Sequence, residues 1–218
     1  MNVETPATPA RPGEATAHAD SAAASPLRYA EFATPLGPLT VVTDPTAVGD
    51  RASAGPIGDS PDGPVVASGF LPLSQLLGDD AATAAVLAGR DLESAELSTW
   101  RDCVDAYFAG DAEALNRVSV AQSGPEFRVA VWRAMREIPA GQVASYGELA
   151  ADAGRPAAAR AAGSACAQNT CAPFVPCHRV VRSGGDLGNY GYGVDVKADL
   201  LAREGYQSGS REGQSAQP

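Results

Sequence analysis

Apolar and polar positions alternate from Leu27 onward. LRYAEFATP has the two-residue period of a strand with one face toward a core. A Gly-Pro turn precedes LTVVT at Leu39, and PVVASGFLP from Pro64 is a third strand candidate. The period then changes. In LESAELSTWRDCVDAYFAG, Leu97, Trp100, Val104, Tyr107 and Phe108 recur at spacings of three and four, which predicts a helix that Gly110 ends. Ser123-Gly124-Pro125-Glu126 has the order of a capping box with proline just inside the next helix, whose apolar face is Phe127, Val131, Met135 and Ile138. Pro139 and Gly141 break that helix. Ser145-Tyr146-Gly147-Glu148 is a second capping box, opening a short helix that Gly154 closes. Pro156 opens a third, PAAARAAGSACAQN, ending at Asn169. Two short helices joined by a tight glycine-containing turn predict a helix-turn-helix.

This order predicts an α+β fold: a small N-terminal sheet-bearing domain over 27–121, and a mostly helical C-terminal domain over 122–206 that contains the helix-turn-helix. Residues 1–26 and 207–218 are rich in Ala, Pro, Ser, Gly and Gln and read as disordered tails. The Gly-, Pro- and Asp-rich stretch 44–64 reads as a long loop. A hydrophobic content of 44% suffices for an ordinary core in 218 residues.

The net charge of −10 argues against a nucleic-acid partner until its distribution is considered. Residues 1–125 carry 6 Lys and Arg against 17 Asp and Glu; residues 126–206 carry 9 against 8. The acid lies in the first half, and the second half is free to approach a polyanion through a local basic face, with Arg155, Arg160, Arg179, Arg182 and Lys197 as candidates. The start shows no basic segment followed by an apolar one, so no signal peptide is expected, and no apolar run approaches membrane-spanning length. The four cysteines, Cys103, Cys166, Cys171 and Cys177, contain no C-x-x-C pair, and an intracellular, cytoplasmic setting is expected. Cys103 falls on a helix and reads as core.

The chemistry concentrates in VPCHRVV, Val175 to Val181, where one of only two histidines sits beside a cysteine. Cys166, Cys171, Cys177 and His178 offer four metal donors, but gaps of five and six residues match no usual zinc spacing. A nucleophilic thiol is the other reading. A free thiol is mostly protonated at neutral pH and needs a base. His178 can serve through a bridging water, and a carboxylate should orient it. Glu204 is placed for that role in the last turn before Gly205, where it opposes the helix dipole; its position alone favours a solvated surface residue. The predicted third helix is nearly all Ala, Gly, Ser and Cys apart from Arg160 and Gln168. It suits either close backbone approach to a polyanion or packing against the core.

In the pieces FRVAVWRAMREIPAGQVASYGELA, RAAGSACAQN, VPCHRVV and GNYGYGVDVKADLLAREG, in that order over about 126–205, the second half resembles the catalytic domain of the O6-alkylguanine-DNA alkyltransferases. The first half is only faintly similar, through TPLGPLTVV, ASGF and YFAG. The resemblance implies that Cys177 accepts an alkyl group from guanine O6 in duplex DNA, with O4-alkylthymine as a second candidate substrate, once per molecule and without cofactor or metal. It implies that His178 draws the thiol proton through a water, that Glu204 polarises His178, and that Asn169 fixes the turn beneath the cysteine. Tyr146 would donate to the leaving purine, and Arg160 would fill the stack left by the flipped nucleotide. Cys166, Val175, Pro176, Asn189, Tyr190 and Gly191 would wall the pocket. Arg155, Ser183 and Gly147 would meet the DNA. The implied partner is double-stranded DNA carrying alkylated guanine, bound by a monomer away from any membrane.

The chain departs from the family's usual pattern at Thr170 and Ala172, where prolines are more common, at Gly191, where serine is frequent, and at Tyr192, where a small residue is usual. Two alternatives stay open on this reading: a module that binds alkylated guanine without transferring the group, and a Cys-His hydrolase.

Overall fold

A computed structural model describes residues 25–49, 60–79 and 81–207. The expected tails, apart from residues 25, 26 and 207, and part of the expected 44–64 loop lie outside these. The architecture is α+β. Strand β1 (Leu27–Thr34) turns at Gly37, whose φ of 102° suits glycine, into β2 (Gly37–Thr43). β3 (Val65–Gly69) and β4 (Leu92–Ser94) complete a sheet in the order β3-β2-β1-β4, with β4 parallel to β1 and the other pairs antiparallel. Two short helices, α1 (Leu73–Asp79) and α2 (Ala81–Leu87), follow β3.

Helix α3 (Ser98–Phe108) buries Trp100, Cys103, Val104 and Tyr107, and Gly110 follows it at φ 113°. The stretch LES, read as the helix's beginning, is instead β4. Leu97 adopts a left-handed conformation (φ 44°) that separates strand from helix.

Helix α4 (Glu126–Arg136) buries Val131, Trp132 and Met135, with Glu126 in its first turn and Arg133 and Arg136 in its last, as the helix dipole favours. Its N-cap is Pro125, with no side-chain cap. The expected Ser123 capping box is therefore not formed, because the serine stands two positions before the N-cap. The second box forms as expected: Ser145 Oγ accepts from Glu148 N (3.2 Å), and Glu148 Oε2 accepts from Ser145 N (2.6 Å), opening α5 (Tyr146–Asp152). Helix α6 (Ala159–Ala167) packs across α5 and α4, and Trp132 Nε1 donates to Ala165 O at 2.9 Å. α6 ends two residues before Asn169, which is thereby freed for a turn. Strands β5 (Ala144–Ser145) and β6 (Val180–Val181) pair in parallel, and α7 (Val194–Arg203) closes the described fold.

One apolar core runs through both halves, from Phe32, Leu39 and Val41 of the sheet through Trp100 and Tyr107 to Val131, Met135, Phe174 and Leu200. The outer edge of β3 is covered by later chain. Val65 N donates to Ser119 O (2.9 Å), Ala121 N to Val65 O (2.8 Å), and Ser68 N to Thr170 O (2.7 Å). This seam carries the sheet to the back of the segment that holds Cys177.

Candidate functional site

Residues 170–181 are buried with one exception, Cys177, which keeps partial exposure at the start of a 3-10 turn over Cys177–Arg179. His178, next in sequence, is fully buried. Adjacent side chains diverge, so the turn leaves Cys177 partly exposed while sending the imidazole into the core.

There His178 Nε2 lies 2.9 Å from Glu204 Oε1. Arg179 grips the same carboxylate with two bonds, Nε to Oε2 at 2.8 Å and Nη2 to Oε1 at 2.9 Å, and the Tyr107 hydroxyl donates to Oε1 at 3.3 Å. Burial raises the Glu204 pKa, but the donors from His178 and Arg179 outweigh it and hold the carboxyl at about 2. The pKa of His178 is pushed down by burial, against the pull of Glu204. A neutral imidazole beside a carboxylate carries its proton on Nε2, which leaves the Nδ1 lone pair free to accept. Nδ1 is buried and has no hydrogen-bond partner among the described residues.

Burial also raises the Cys177 thiol, opposed by a hydrogen bond from Asn169 and by the charge of Lys197. Asn169 spans the turn: Nδ2 donates to Val175 O (2.8 Å) and Oδ1 accepts from Cys171 N (3.1 Å). The β5–β6 pair sets Ser145 beside Val181, so Tyr146, the first residue of α5, comes near Cys177 and Cys166; its hydroxyl pKa is raised, first by burial and then by these thiols. Tyr190 meets His178 edge-on with ring centres 6.4 Å apart, and Tyr192 meets Tyr190 the same way at 5.5 Å.

The expected residues thus divide by position. Cys177, His178, Glu204, Asn169, Tyr146, Cys166, Val175, Pro176 and Tyr190 are gathered around the thiol. Val175 and Pro176 are buried, while Asn189 and Gly191 are exposed on the loop carrying Tyr190. Arg160 and Ser183 are exposed. Arg155, also exposed, stacks over the Phe127 ring at 5.0 Å, and Gly147 lies in the first turn of α5.

Three expectations are overturned. Arg179 and Lys197, taken as phosphate-binding candidates, are 1% and 0% exposed. Arg179 is spent on Glu204 and on Ile138 O (2.6 Å), and Lys197 Nζ donates to Val180 O (2.6 Å). Glu204, whose position favoured solvent, is buried as the partner of His178 and Arg179. Sequence reasoning also missed Tyr107 and Lys197 as members of the site. Lys197 and Glu204 stand seven residues apart, two helical turns, which puts both on the buried face of the last helix and its cap.

A model of the family described as 6-O-methylguanine DNA methyltransferase, DNA binding domain, matches residues 126–206. The methylated-DNA–protein-cysteine methyltransferase of Salmonella typhimurium is 48% identical over 100 residues, covering 46% of this chain and 58% of that protein. The crystal structure of Mycobacterium tuberculosis O6-methylguanine methyltransferase superposes with a TM-score of 0.59 at 30% identity, over 82% of this chain and 92% of that one. The chain belongs to the O6-methylguanine methyltransferase family. A family structure of Mycobacterium tuberculosis OGT in complex with DNA superposes with a TM-score of 0.60 at 30% identity, over 82% of this chain and 93% of that chain. The match to the Salmonella relative thus spans under two thirds of its length, whereas the family's crystal structures are covered almost fully.

Proposed function

We propose that this protein repairs DNA by moving an alkyl group, methyl above all, from guanine O6 in duplex DNA to Cys177, once per molecule. The observation that carries this reading is the lone exposure of Cys177 in a buried segment, directly before a buried His178–Glu204 pair. His178 Nδ1 takes the thiol proton through a water, and the resulting imidazolium is held by Glu204. The sulfur then attacks the alkyl carbon. A C–S bond forms as the C–O bond breaks, and the electron pair goes to guanine O6. The Tyr146 hydroxyl is the donor for that developing charge. The product is a thioether, from which no group in the site regenerates the thiolate.

The substrate atom is hidden in the base stack, so the nucleotide must be flipped out at a cost of a few kcal/mol. Exposed Arg160, in the first turn of the second helix of the helix-turn-helix, is assigned to fill the gap. Arg155, Ser183 and Gly147 are assigned to the DNA backbone. Cys166, Val175, Pro176, Asn189, Tyr190 and Gly191 are assigned to the base pocket. Residues 122–206 form the unit that binds and reacts, and 27–121 supports it. The protein is assigned as a cytoplasmic monomer that uses no cofactor. The occurrence of DNA in the family structure from Mycobacterium tuberculosis supports the choice of partner.

The test is peptide mass spectrometry after incubation with O6-methylguanine duplex. The expected result is one added methyl on Cys177, at one equivalent per protein, and none on Cys103, Cys166 or Cys171. An unmodified Cys177 at full incubation defeats the reading.

A further inference from the structure

Gln122 belongs to the link between sheet and helices and falls in no motif. Its Nε2 donates to Asn169 Oδ1 at 3.0 Å and reaches Thr170 Oγ1 at 3.2 Å. The Thr170 hydroxyl in turn donates to Val66 O of β3 at 3.2 Å. Asn169 Oδ1 therefore accepts two bonds, from Gln122 and from the Cys171 N–H (3.1 Å), while Nδ2 donates to Val175 O. These partners leave one orientation for the carboxamide, since a backbone N–H can meet only its oxygen and a carbonyl only its NH2. The Cys177 N–H donates to the same Val175 O at 2.9 Å, which sets Nδ2 at the turn that carries the thiol, and Asn169 holds the thiol's pKa down against the burial that raises it. With Oδ1 occupied by two donors, Nδ2 is the end of the carboxamide left to face that turn. Two donors on one amide oxygen also polarise the group and make its N–H groups stronger hydrogen-bond donors.

We propose that Gln122 is a positioning residue for alkyl transfer: by donating to Asn169 Oδ1 it helps the two backbone partners hold that carboxamide with its NH2 at the turn that carries Cys177. The inference rests on the alkyl-transfer reading for its biological meaning, but its geometry concerns the thiol alone. It also gives the Thr170 hydroxyl a role, tying Gln122 to β3. A proline has no hydroxyl to tie Gln122 to β3, so this lock is particular to chains with a hydroxyl at that position. Through it the sheet and the link act on the thiol without touching substrate.

Two substitutions of similar volume separate positioning from packing. Gln122→Glu keeps the shape and places a carboxylate oxygen against Asn169 Oδ1; Gln122→Met removes the donor. The first readout is the pH dependence of Cys177 carbamidomethylation by iodoacetamide, followed on the Cys177 peptide from pH 7 upward, which needs no DNA. The second is the single-turnover methyl-transfer rate. In Gln122→Glu the apparent thiol pKa is expected to rise by about one unit, which makes both reactions about tenfold slower near pH 7 and lets them converge with the parent at alkaline pH. Gln122→Met is expected to show a smaller slowing, about threefold. DNA affinity stays at the parent value, and in an Asn169→Ala background neither change has further effect. Coincident pH profiles for the parent and Gln122→Glu overturn the proposal, as does a Gln122→Met protein slower than Gln122→Glu, the order that packing alone gives. A parent that accepts no methyl from DNA, with iodoacetamide profiles shifted as stated, removes the alkyl-transfer reading and leaves the role of Gln122 in place.

Discussion

Four hydrogen bonds converge on the Glu204 carboxylate, from His178, twice from Arg179, and from Tyr107. The residue serves chemistry and stability together. Its carboxyl titrates at about 2 in the folded chain against an ordinary value of 4.5. The stabilisation is therefore fully present above about pH 4.5 and lost as the pH falls toward 2, and His178, lowered below 6.5 by burial, adds an acid-sensitive contribution in the same direction. Glu204→Gln is expected to reduce stability at pH 7 by about 3 kcal/mol in urea titrations, because Arg179 is left buried without its counter-charge. The gap to the parent should narrow below pH 4.5; a constant gap down to pH 2 would show that the carboxylate is not the origin. The residue types at Cys177 and His178 could be read from the sequence. The burial of Glu204 could not, since a glutamate before a helix-ending glycine usually faces water and nothing local records a partner 25 or 26 residues away.

Elements matter here through what their ends deliver. The Ser145–Glu148 box fixes the first turn of α5, and β5–β6 pairing places that turn beside the cysteine segment. Ser145→Ala is expected to cost about 1 kcal/mol of stability. Because Tyr146 is the next residue, methyl transfer should slow by more than the loss of folded protein explains, with thermal melting and single-turnover rates measured on the same sample. A rate that tracks the folded fraction alone would separate the cap from the chemistry. This box was legible because a side chain three residues from its own cap is a local relation. The Ser123 box was not, since Pro125 sets the helix start and the serine is left outside it. Helices α1 and α2 escaped the sequence reading as well. At seven residues each, they are too short to show a clear period. The loop over 189–192 is another tertiary product: the Tyr192 hydroxyl donates to Ser68 O at 3.2 Å, its ring meets Phe70 edge-on, and a Cβ on Gly69 would stand 2.2 Å from its oxygen. The bulk of Tyr192 is thus accommodated by a glycine more than a hundred positions earlier.

Across the whole molecule, acid and base are segregated, with the surplus of Asp and Glu before residue 126. The basic side chains left exposed on the helical half include Arg155, Arg160 and Arg182, since Arg179 and Lys197 are withdrawn into the core. DNA affinity should accordingly fall with salt, and Arg155→Ala should reduce the slope of log K against log salt by about 0.9 if that side chain neutralises one phosphate. Titrations by fluorescence anisotropy at several salt concentrations measure this, and an unchanged slope removes Arg155 from the DNA face. The sequence by itself determined the α+β class, the helix-turn-helix order, the family and the cysteine-histidine pair, because period, caps and adjacent motif residues are relations within a few positions. Only the tertiary structure decided which charges are buried, that Glu204 joins His178 and Arg179, and that Gln122 stands behind Asn169. Those contacts join positions 25 to 47 residues apart, and their burial depends on packing that no local pattern encodes.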